Sequence, residues 1–142
     1  MGLEPQLFAD KAAAIERHLR RVESRLPAEA SLFAPNTDAS DAVILHLWQA
    51  IQATIDLAAA ACVRLSLGSP TTYADAFVRL AEGDYLDTKL AARLRRAAGF
   101  RNLLVHAYES LDMQIVFQAA THGPGDVRAF VSAAAGWVDT AP

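Results

Sequence analysis

Apolar residues recur at alternating intervals of four and three along several stretches of this chain. A helix turns through about 100° per residue, so this spacing gathers apolar side chains on one side of a helix, whereas a strand alternates every second residue. The longest run covers three heptads and comprises Ile44, Trp48, Ile51, Ile55, Ala58, Cys62 and Leu65. The pattern predicts an all-α protein whose helices each bury one face.

Proline and short polar residues mark the limits of the first two helices. The first apolar line comprises Phe8, Ala12, Ile15, Leu19, Val22 and Leu26. Pro27 ends this helix, and residues 27–36 lack a sustained period and predict a connection. We expect Asp38, Ser40 or Asp41 to be the N-cap of the second helix, because short polar side chains can accept from its free backbone N–H groups. Gly68 is expected to end that helix.

Three further helices are predicted in the second half of the chain. Ser69 and Pro70 suit the N-cap and first position of a short third helix. Its apolar side comprises Tyr73, Phe77 and Leu80. Asp84 and Asp87 introduce a fourth helix of about 30 residues, with an inner line of Leu90, Leu94, Ala97, Leu104, Leu111 and Ile115. The cluster at 121–125 predicts a turn before a final short helix that contains Val127, Phe130, Val131 and Ala134.

Length and composition limit the class of protein. The chain has 142 residues, which suits one domain spanning 1–142, and 53% of them are hydrophobic, which excludes a disordered chain. The formal net charge of −3 gives no overall attraction for nucleic acid, so such binding would depend on a local basic patch. The longest uncharged apolar run, residues 57–63, is far below the roughly 20 residues that span a bilayer. We therefore expect a cytoplasmic protein.

The placement of cysteine and histidine gives no sign of a metal centre. The lone cysteine, Cys62, lies on the apolar line of the second helix, so we interpret it as a small buried hydrophobe and not as a nucleophile. His18, His46 and His122 lie on different predicted elements, and their spacing is not that of metal ligands. We predict no metal and no cofactor.

The fourth predicted helix contains the densest polar cluster of the sequence. This cluster comprises Arg93, Arg95, Arg96, Arg101, Asn102, His106, Tyr108 and Glu109. At helical spacing, one line holds Arg95, Asn102, His106 and Glu109. Arg101 and Tyr108, seven residues apart, share a second line that is otherwise apolar. Burying either group without partners costs several kcal/mol, so this line predicts a satisfied polar network or a polar cleft.

The residue pattern alone leaves two interpretations of this cluster open. In the structural one, Arg101 pairs with an acidic residue of another helix and His106 is a satisfied, half-buried histidine. In the functional one, both belong to an active site, because histidine titrates near neutral pH and arginine offers a charged, planar fork to phosphate oxygens.

The cluster also matches the signature of a known family. Arg101, His106 and Tyr108 reproduce an R-x4-H-x-Y motif that resembles that of HepT-type toxins of the HEPN superfamily. The likeness extends to DAVILHLWQAIQATIDLAAA as the second helix, SPTTYADAFVRLAEG as the third and TKLAARLRRAAGFRNLLVHAY as the fourth. The resemblance implies an antiparallel, HEPN-like bundle of four to five helices that forms a homodimer.

This resemblance implies a metal-independent endoribonuclease, in which the 2′-hydroxyl of RNA attacks the adjacent phosphate. His106 would act in proton transfer, and Arg101 would stabilise the charge of the transition state. Asn102, Arg95 and Arg96 would bind or orient the substrate. Five residues turn a straight helix about 140° beyond a full turn, so Arg101 and His106 do not share a face. Bending at Gly99, the reach of the arginine or a site built from two chains would resolve this, and we favour two chains.

Tyr108 has a separate implied role. In the related toxins the motif tyrosine accepts AMP from a partner nucleotidyltransferase of the MntA type, which adds charge that blocks RNA. The chain is thereby expected to be the toxin of a type VII-like toxin–antitoxin system. The alternative is a non-catalytic HEPN module that binds nucleotide or serves as a docking partner for a nucleotidyltransferase.

Overall fold

Five α-helices account for the apolar pattern in the computed structural model, which describes residues 1–140. They are α1 (Pro5–Arg25), α2 (Asp38–Arg64), α3 (Tyr73–Glu82), α4 (Thr88–His106) and α5 (Met113–Ala135), with short 3₁₀ turns at Ala30–Leu32 and Tyr108–Ser110. The predicted all-α class is therefore confirmed. In the described part of the chain, β-type pairing is limited to one bridge, between Leu3 and Val138.

The central helix of the bundle is α2, which packs against each of the other four helices. Its inner positions are buried as the four-three spacing predicts, and Cys62 is fully buried with its Sγ donating to the Ala76 carbonyl. By length and composition alone α2 could cross a membrane, but half of its most apolar window is buried inside the bundle. That burial is typical of the core helix of a globular protein.

The caps of α2 and α3 differ from those predicted. Thr37 caps α2: its hydroxyl accepts from the Ser40 amide at 3.0 Å, while the Ser40 hydroxyl accepts from the Thr37 amide at 3.0 Å. This reciprocal capping box satisfies two N–H groups at once, which a single cap at 38, 40 or 41 would not. For α3, Thr72 replaces the predicted Ser69 and accepts from the Asp75 amide.

The predicted fourth helix of about 30 residues is wrong at its C-terminal end. Asp87 caps α4 as expected, but the helix stops at His106, where Ala107 adopts φ −130° and ψ 32°. After the 3₁₀ turn, Asp112 caps α5 by accepting from the Gln114 amide. The spacing of apolar residues continues from α4 into α5 because both helices bury one face in the same core. That spacing alone therefore could not show that the chain reverses direction between them.

The predicted turn at 121–125 is also wrong, because α5 runs through it. Its buried positions, which continue at intervals of three and four across the Gly-Pro-Gly segment, are Val116, Phe117, Ala120, Pro124, Val127, Phe130 and Ala134. A proline inside a helix costs about 3 kcal/mol and a glycine about 1 kcal/mol. Burial of the stripe on both sides outweighs these costs and keeps the helix continuous.

Candidate functional site

Arg101 lies on the inner side of α4, half-buried between α2 and α3. Its Nε donates to Oε1 of Gln52 on α2 at 2.7 Å. Its guanidinium carbon stands 4.9 Å from the centre of the Tyr73 ring at the start of α3. The amide and the ring orient the guanidinium without cancelling its charge.

No carboxylate neutralises Arg101 within the part of the chain that the structure describes. The ion pairs of residues 1–140 join Lys11 or other arginines to acids and do not include Arg101. Gln52 in turn donates to Asp56 at 3.0 Å, and Asp56 meets Lys11 at 3.4 Å. Of the two interpretations left open above, the pairing of Arg101 with an acid is not what the structure shows. The carboxylates of residues 1–140 therefore leave the charge of Arg101 uncancelled.

Asn102 connects Arg101 to the line of α4 that also holds Arg95 and His106. Its Oδ1 accepts from Nη1 of Arg101 at 3.2 Å. Arg95, Asn102 and His106 share one line of α4, and all three side chains are exposed. His106 is the last residue of the helix, and it is not half-buried as the structural interpretation required. Glu109, expected on this line, lies beyond the helix in the 3₁₀ turn.

Tyr108 begins the 3₁₀ turn two residues after His106 and is 46% exposed. Its hydroxyl donates to Oδ1 of Asp41, in the first turn of α2, at 2.8 Å. This hydrogen bond to a carboxylate, which favours the neutral phenol, raises the pKa of Tyr108 above its usual value. The motif tyrosine is therefore tied to α2 and not buried in the bundle.

Sequence analysis missed the three partners of the motif, which are Asp41, Gln52 and Tyr73. Asp41 and Gln52 lie eleven residues apart, about three helical turns, so they share one face of α2. Tyr108 lies beyond the end of α4, so the helical line predicted for Arg101 and Tyr108 does not reach it. Arg101 meets Gln52 and Tyr108 meets Asp41, so the two pairs contact in opposite order along the chain, as antiparallel neighbours do. The signal in the sequence that could have identified Asp41 and Gln52 was their helical spacing, which matches that of the motif residues. The sequence does not show that α2 faces α4, and that knowledge was needed to pair them.

Arg96 is separated from the rest of the predicted substrate-binding set. It lies on the side of α4 that faces α5, at the edge of a groove of about 400 Å³. The groove is lined mainly by apolar residues of α2, α4 and α5, including Leu47, Ile51, Phe100, Ile115 and Ala119. Arg95 and Arg96 therefore serve different surfaces, and only Arg95 shares the line of Asn102 and His106.

His18 and His46, which lie on different helices as predicted, meet between α1 and α2. Their Nδ1 atoms are 2.9 Å apart and their ring centres 5.2 Å apart. Within residues 1–140, no group of three or more His, Cys, Asp and Glu side chains is arranged to hold a metal ion. Burial raises the pKa of the Cys62 thiol to about 11, which leaves it protonated at neutral pH.

Similarity to known proteins covers most of the chain. Residues 15–134 match the ribonuclease HepT-like family. The mRNA nuclease HepT of Shewanella oneidensis is 30% identical over 125 residues, which is 88% of this chain and 93% of that protein. The tRNA nuclease HepT of Aphanizomenon flos-aquae is 35% identical over 68 residues, which is 48% of this chain and 46% of that protein.

Solved structures of toxin–antitoxin complexes share the fold. The tri-AMPylated HEPN toxin of Shewanella oneidensis, in complex with an MNT antitoxin, has a TM-score of 0.83 and 28% identity, covering 92% of this chain and 97% of that chain. A toxin–antitoxin structure with AMP-PNP has a TM-score of 0.84 and 27% identity, and the match covers 92% of this chain and 98% of that chain. The family match, the helical fold and the R-x4-H-x-Y motif agree, and this chain belongs to the ribonuclease HepT-like family.

Proposed function

We propose that this protein is the toxin of a type VII-like toxin–antitoxin system and acts as a metal-independent endoribonuclease in the cytoplasm. The observation that carries this is Arg101, which Gln52 and Tyr73 hold in place while no carboxylate of residues 1–140 pairs with it. The exposed His106 lies at the end of the same helix. The names of the relatives, an mRNA nuclease and a tRNA nuclease, support cleavage of RNA.

The chemistry requires a proton to leave one oxygen and arrive at another. The 2′-hydroxyl attacks the adjacent phosphorus, the bond from phosphorus to the 5′-oxygen breaks, and a 2′,3′-cyclic phosphate and a 5′-hydroxyl form. One histidine accepts the 2′-hydroxyl proton and another donates to the leaving oxygen. Arg101 stabilises the charge on the equatorial phosphate oxygens, and Asn102 and Arg95 bind the neighbouring backbone.

A homodimer supplies the second histidine. Arg101 and His106 point about 140° apart on α4, so one chain does not aim both at the same phosphate. Large apolar side chains are exposed on the outside of the bundle, two of them within one turn of His106 on α4: Leu103 is 42% exposed and Val105 36%, with Leu45 of α2 at 47% and Ile115 of α5 at 49%. An isologous contact over this surface would cover the apolar residues and bring two His106 side chains to one cleft.

Inhibition is assigned to Tyr108. The similar structures include a tri-AMPylated toxin in complex with its antitoxin, and Tyr108 is exposed beside the proposed cleft. We infer that a cognate MntA-like nucleotidyltransferase transfers AMP to the Tyr108 hydroxyl. Each added phosphodiester places negative charge where the RNA backbone would bind, and like charges repel.

The test compares the wild-type protein with His106→Ala and, as a matched control, His122→Ala on α5. Each is incubated with total cellular RNA in excess EDTA, and the products are resolved by length. Discrete fragments from the wild type and the control but not from His106→Ala are the expected result, and the cut ends identify the RNA class. If folded, dimeric wild type leaves RNA intact, the non-catalytic docking module takes the place of this proposal.

A further inference from the structure

The Tyr108 hydroxyl already has a proton acceptor in the unmodified chain. Oδ1 of Asp41 lies 2.8 Å from Oη, and both side chains are exposed to an approaching reagent. The carboxylate stands on a fixed backbone, because the Asp41 amide donates to the Thr37 carbonyl at 2.9 Å beside the capping box of α2. The hydroxyl proton and its acceptor are thus held in place by two different helical segments.

We propose that Asp41 is the proton acceptor for Tyr108 when that hydroxyl takes up AMP, an inference that rests on the proposed role of Tyr108 as AMP acceptor. A separation of 2.8 Å falls within the range of about 2.6 to 3.2 Å required of a general base. Asp41 touches the reacting oxygen directly. Asp41 belongs to the same chain as Tyr108, so the protein that receives AMP supplies the base.

The step balances with ATP as the donor. Oη of Tyr108 attacks the α-phosphorus of ATP, the new bond from Oη to phosphorus forms, and the bond from that phosphorus to the pyrophosphate oxygen breaks. Pyrophosphate leaves with the bonding electron pair, and the phenolic proton passes to Asp41 and then to solvent. Protein kinases use an aspartate in the same way, as acceptor of the proton of the attacking hydroxyl.

A base is needed because Tyr108 remains a neutral phenol at neutral pH. The hydrogen bond to Asp41 raises the pKa of Tyr108, so a preformed phenolate is scarce. Removal of the proton during attack supplies the nucleophile without that phenolate.

The two other tyrosines provide an internal comparison. Tyr73 is 41% exposed and Tyr85 is 38% exposed, close to the 46% of Tyr108. The Tyr73 ring lies against the Arg101 guanidinium and the Tyr85 ring packs edge-to-face against Trp137, and in residues 1–140 neither hydroxyl donates to a carboxylate. Exposure therefore does not explain any excess reactivity of Tyr108, and the Asp41 variants test whether the carboxylate does.

The first experiment uses the chain alone at pH 7 with an aryl sulfonyl fluoride, which a phenol oxygen attacks with loss of fluoride. Mass spectrometry follows labelling of each tyrosine in wild type, Asp41→Ala, Asp41→Asn and the control Asp38→Ala, an exposed acid in the same turn. We expect Tyr108 to react several-fold faster than Tyr73 and Tyr85 in wild type and control, and no faster in the Asp41 variants. Labelling of Tyr108 in wild type that is slower than that of Tyr73 and Tyr85 overturns the proposal, as does labelling of Tyr108 that is faster in Asp41→Ala than in wild type.

The second experiment measures AMP transfer from ATP by the MntA antitoxin of the Shewanella oneidensis complex. We expect the rate of AMP transfer to fall at least tenfold at pH 7 in Asp41→Ala and Asp41→Asn. The difference from wild type should narrow toward pH 9, and the rate in Asp38→Ala should stay unchanged. Asparagine keeps a hydrogen-bond acceptor but is not a base, so a wild-type rate for Asp41→Asn overturns proton acceptance. If AMP is found in the wild-type chain on a residue other than Tyr108, the role of Tyr108 as acceptor is wrong and the inference is lost with it.

Discussion

Arg101 is positioned by neutral groups, and this choice of partners has a physical consequence. A carboxylate at the place of Gln52 would hold the guanidinium equally well but would also cancel its charge. The neutral Gln52 oxygen accepts at 2.7 Å and leaves the positive charge of the guanidinium uncancelled. Gln52 is itself fixed by its donation to Asp56.

This leads to a prediction for Gln52, a residue absent from the R-x4-H-x-Y motif. Gln52→Ala should reduce kcat for RNA cleavage about tenfold, or ~1.4 kcal/mol, because Arg101 loses its orienting hydrogen bond. Gln52→Glu should be at least as impaired, since it pairs with the arginine. Steady-state cleavage of a defined RNA measures both, with Gln49→Ala, one turn away on α2, as the control. Wild-type kcat in Gln52→Ala would show that Arg101 needs no partner.

At the scale of elements, α5 shows burial prevailing over local propensity. Gly123, Pro124 and Gly125 are individually unfavourable in a helix, yet the helix passes through them because Pro124 and its neighbours on the stripe are buried. A Cβ added at Gly125 would meet nothing within 4 Å.

The continuity of α5 is testable at Gly125. Gly125→Ala should raise the free energy of unfolding by about 0.5–1 kcal/mol, because alanine loses less backbone entropy in a helix. Gly68, with φ 88° and Arg79 packed against it, is the counterpart, and Gly68→Ala should destabilise by about 1–2 kcal/mol. Denaturant titration measures both. Destabilisation by Gly125→Ala would indicate a turn at 121–125 after all.

The histidine pair makes the contact between α1 and α2 sensitive to pH. One Nδ1 must carry the hydrogen and the other must accept it, so two imidazolium rings cannot keep the 2.9 Å contact. Burial lowers the pKa of His18 and of His46, and the nearby cations Arg17, Arg21 and Arg25 lower them further.

The sign of the effect follows from the lowered pKa values. As pH falls, the unfolded state takes up protons near pH 6.5, before the folded state does. The contribution of the histidine pair to folding stability is therefore complete above pH 6.5 and is lost as pH falls below it. We expect the free energy of unfolding to drop between pH 7 and pH 5, and the drop to shrink in His46→Asn. Chemical denaturation across this range provides the measurement. An equal slope in His46→Asn would assign the pH dependence to other groups.

At the scale of the whole molecule, Arg128 joins the last helix to the first. Its guanidinium donates to both oxygens of Glu16 at 3.0 and 2.9 Å and to both oxygens of Glu23 at 2.7 and 2.8 Å. The two ends of the chain also meet directly, since the Leu3 amide donates to the Trp137 carbonyl and the Asp139 amide to the Leu3 carbonyl. The first and last elements are therefore locked together.

The hydrogen bonds of Arg128 to Glu16 and Glu23 predict a contribution to folding stability that is lost at acid pH. The Arg128 hydrogen bond lowers the pKa of Glu16 from 4.5 to about 2, so the contribution is present above pH 4.5 and lost as pH falls toward 2. Arg128→Met should cost about 1 kcal/mol at neutral pH, a figure limited by solvent screening, and should flatten the acid limb of the stability curve. Thermal unfolding from pH 7 to pH 2.5 tests this against Arg93→Met, which removes a single ion pair with Asp126.

The sequence by itself determined the class of the fold and the family. The four-three spacing is a local property, so Ile51, Ile55 and Leu94 could be assigned to buried faces without knowing which helices they meet. The R-x4-H-x-Y motif is likewise contiguous and could be recognised from Arg101 to Tyr108 alone. The catalytic roles of Arg101 and His106, and the acceptor role of Tyr108, stay predictions.

Tertiary structure decided everything that depends on which helices are neighbours. The end of α4 at His106, the continuity of α5 through Pro124 and the meeting of His18 with His46 each reflect packing between distant segments. The same holds for Asp41 and Gln52, which become partners of the motif only because α2 runs antiparallel to α4. Local propensity differs by about 1 kcal/mol per residue, whereas burial of a whole helical face sums many such terms and decides the outcome.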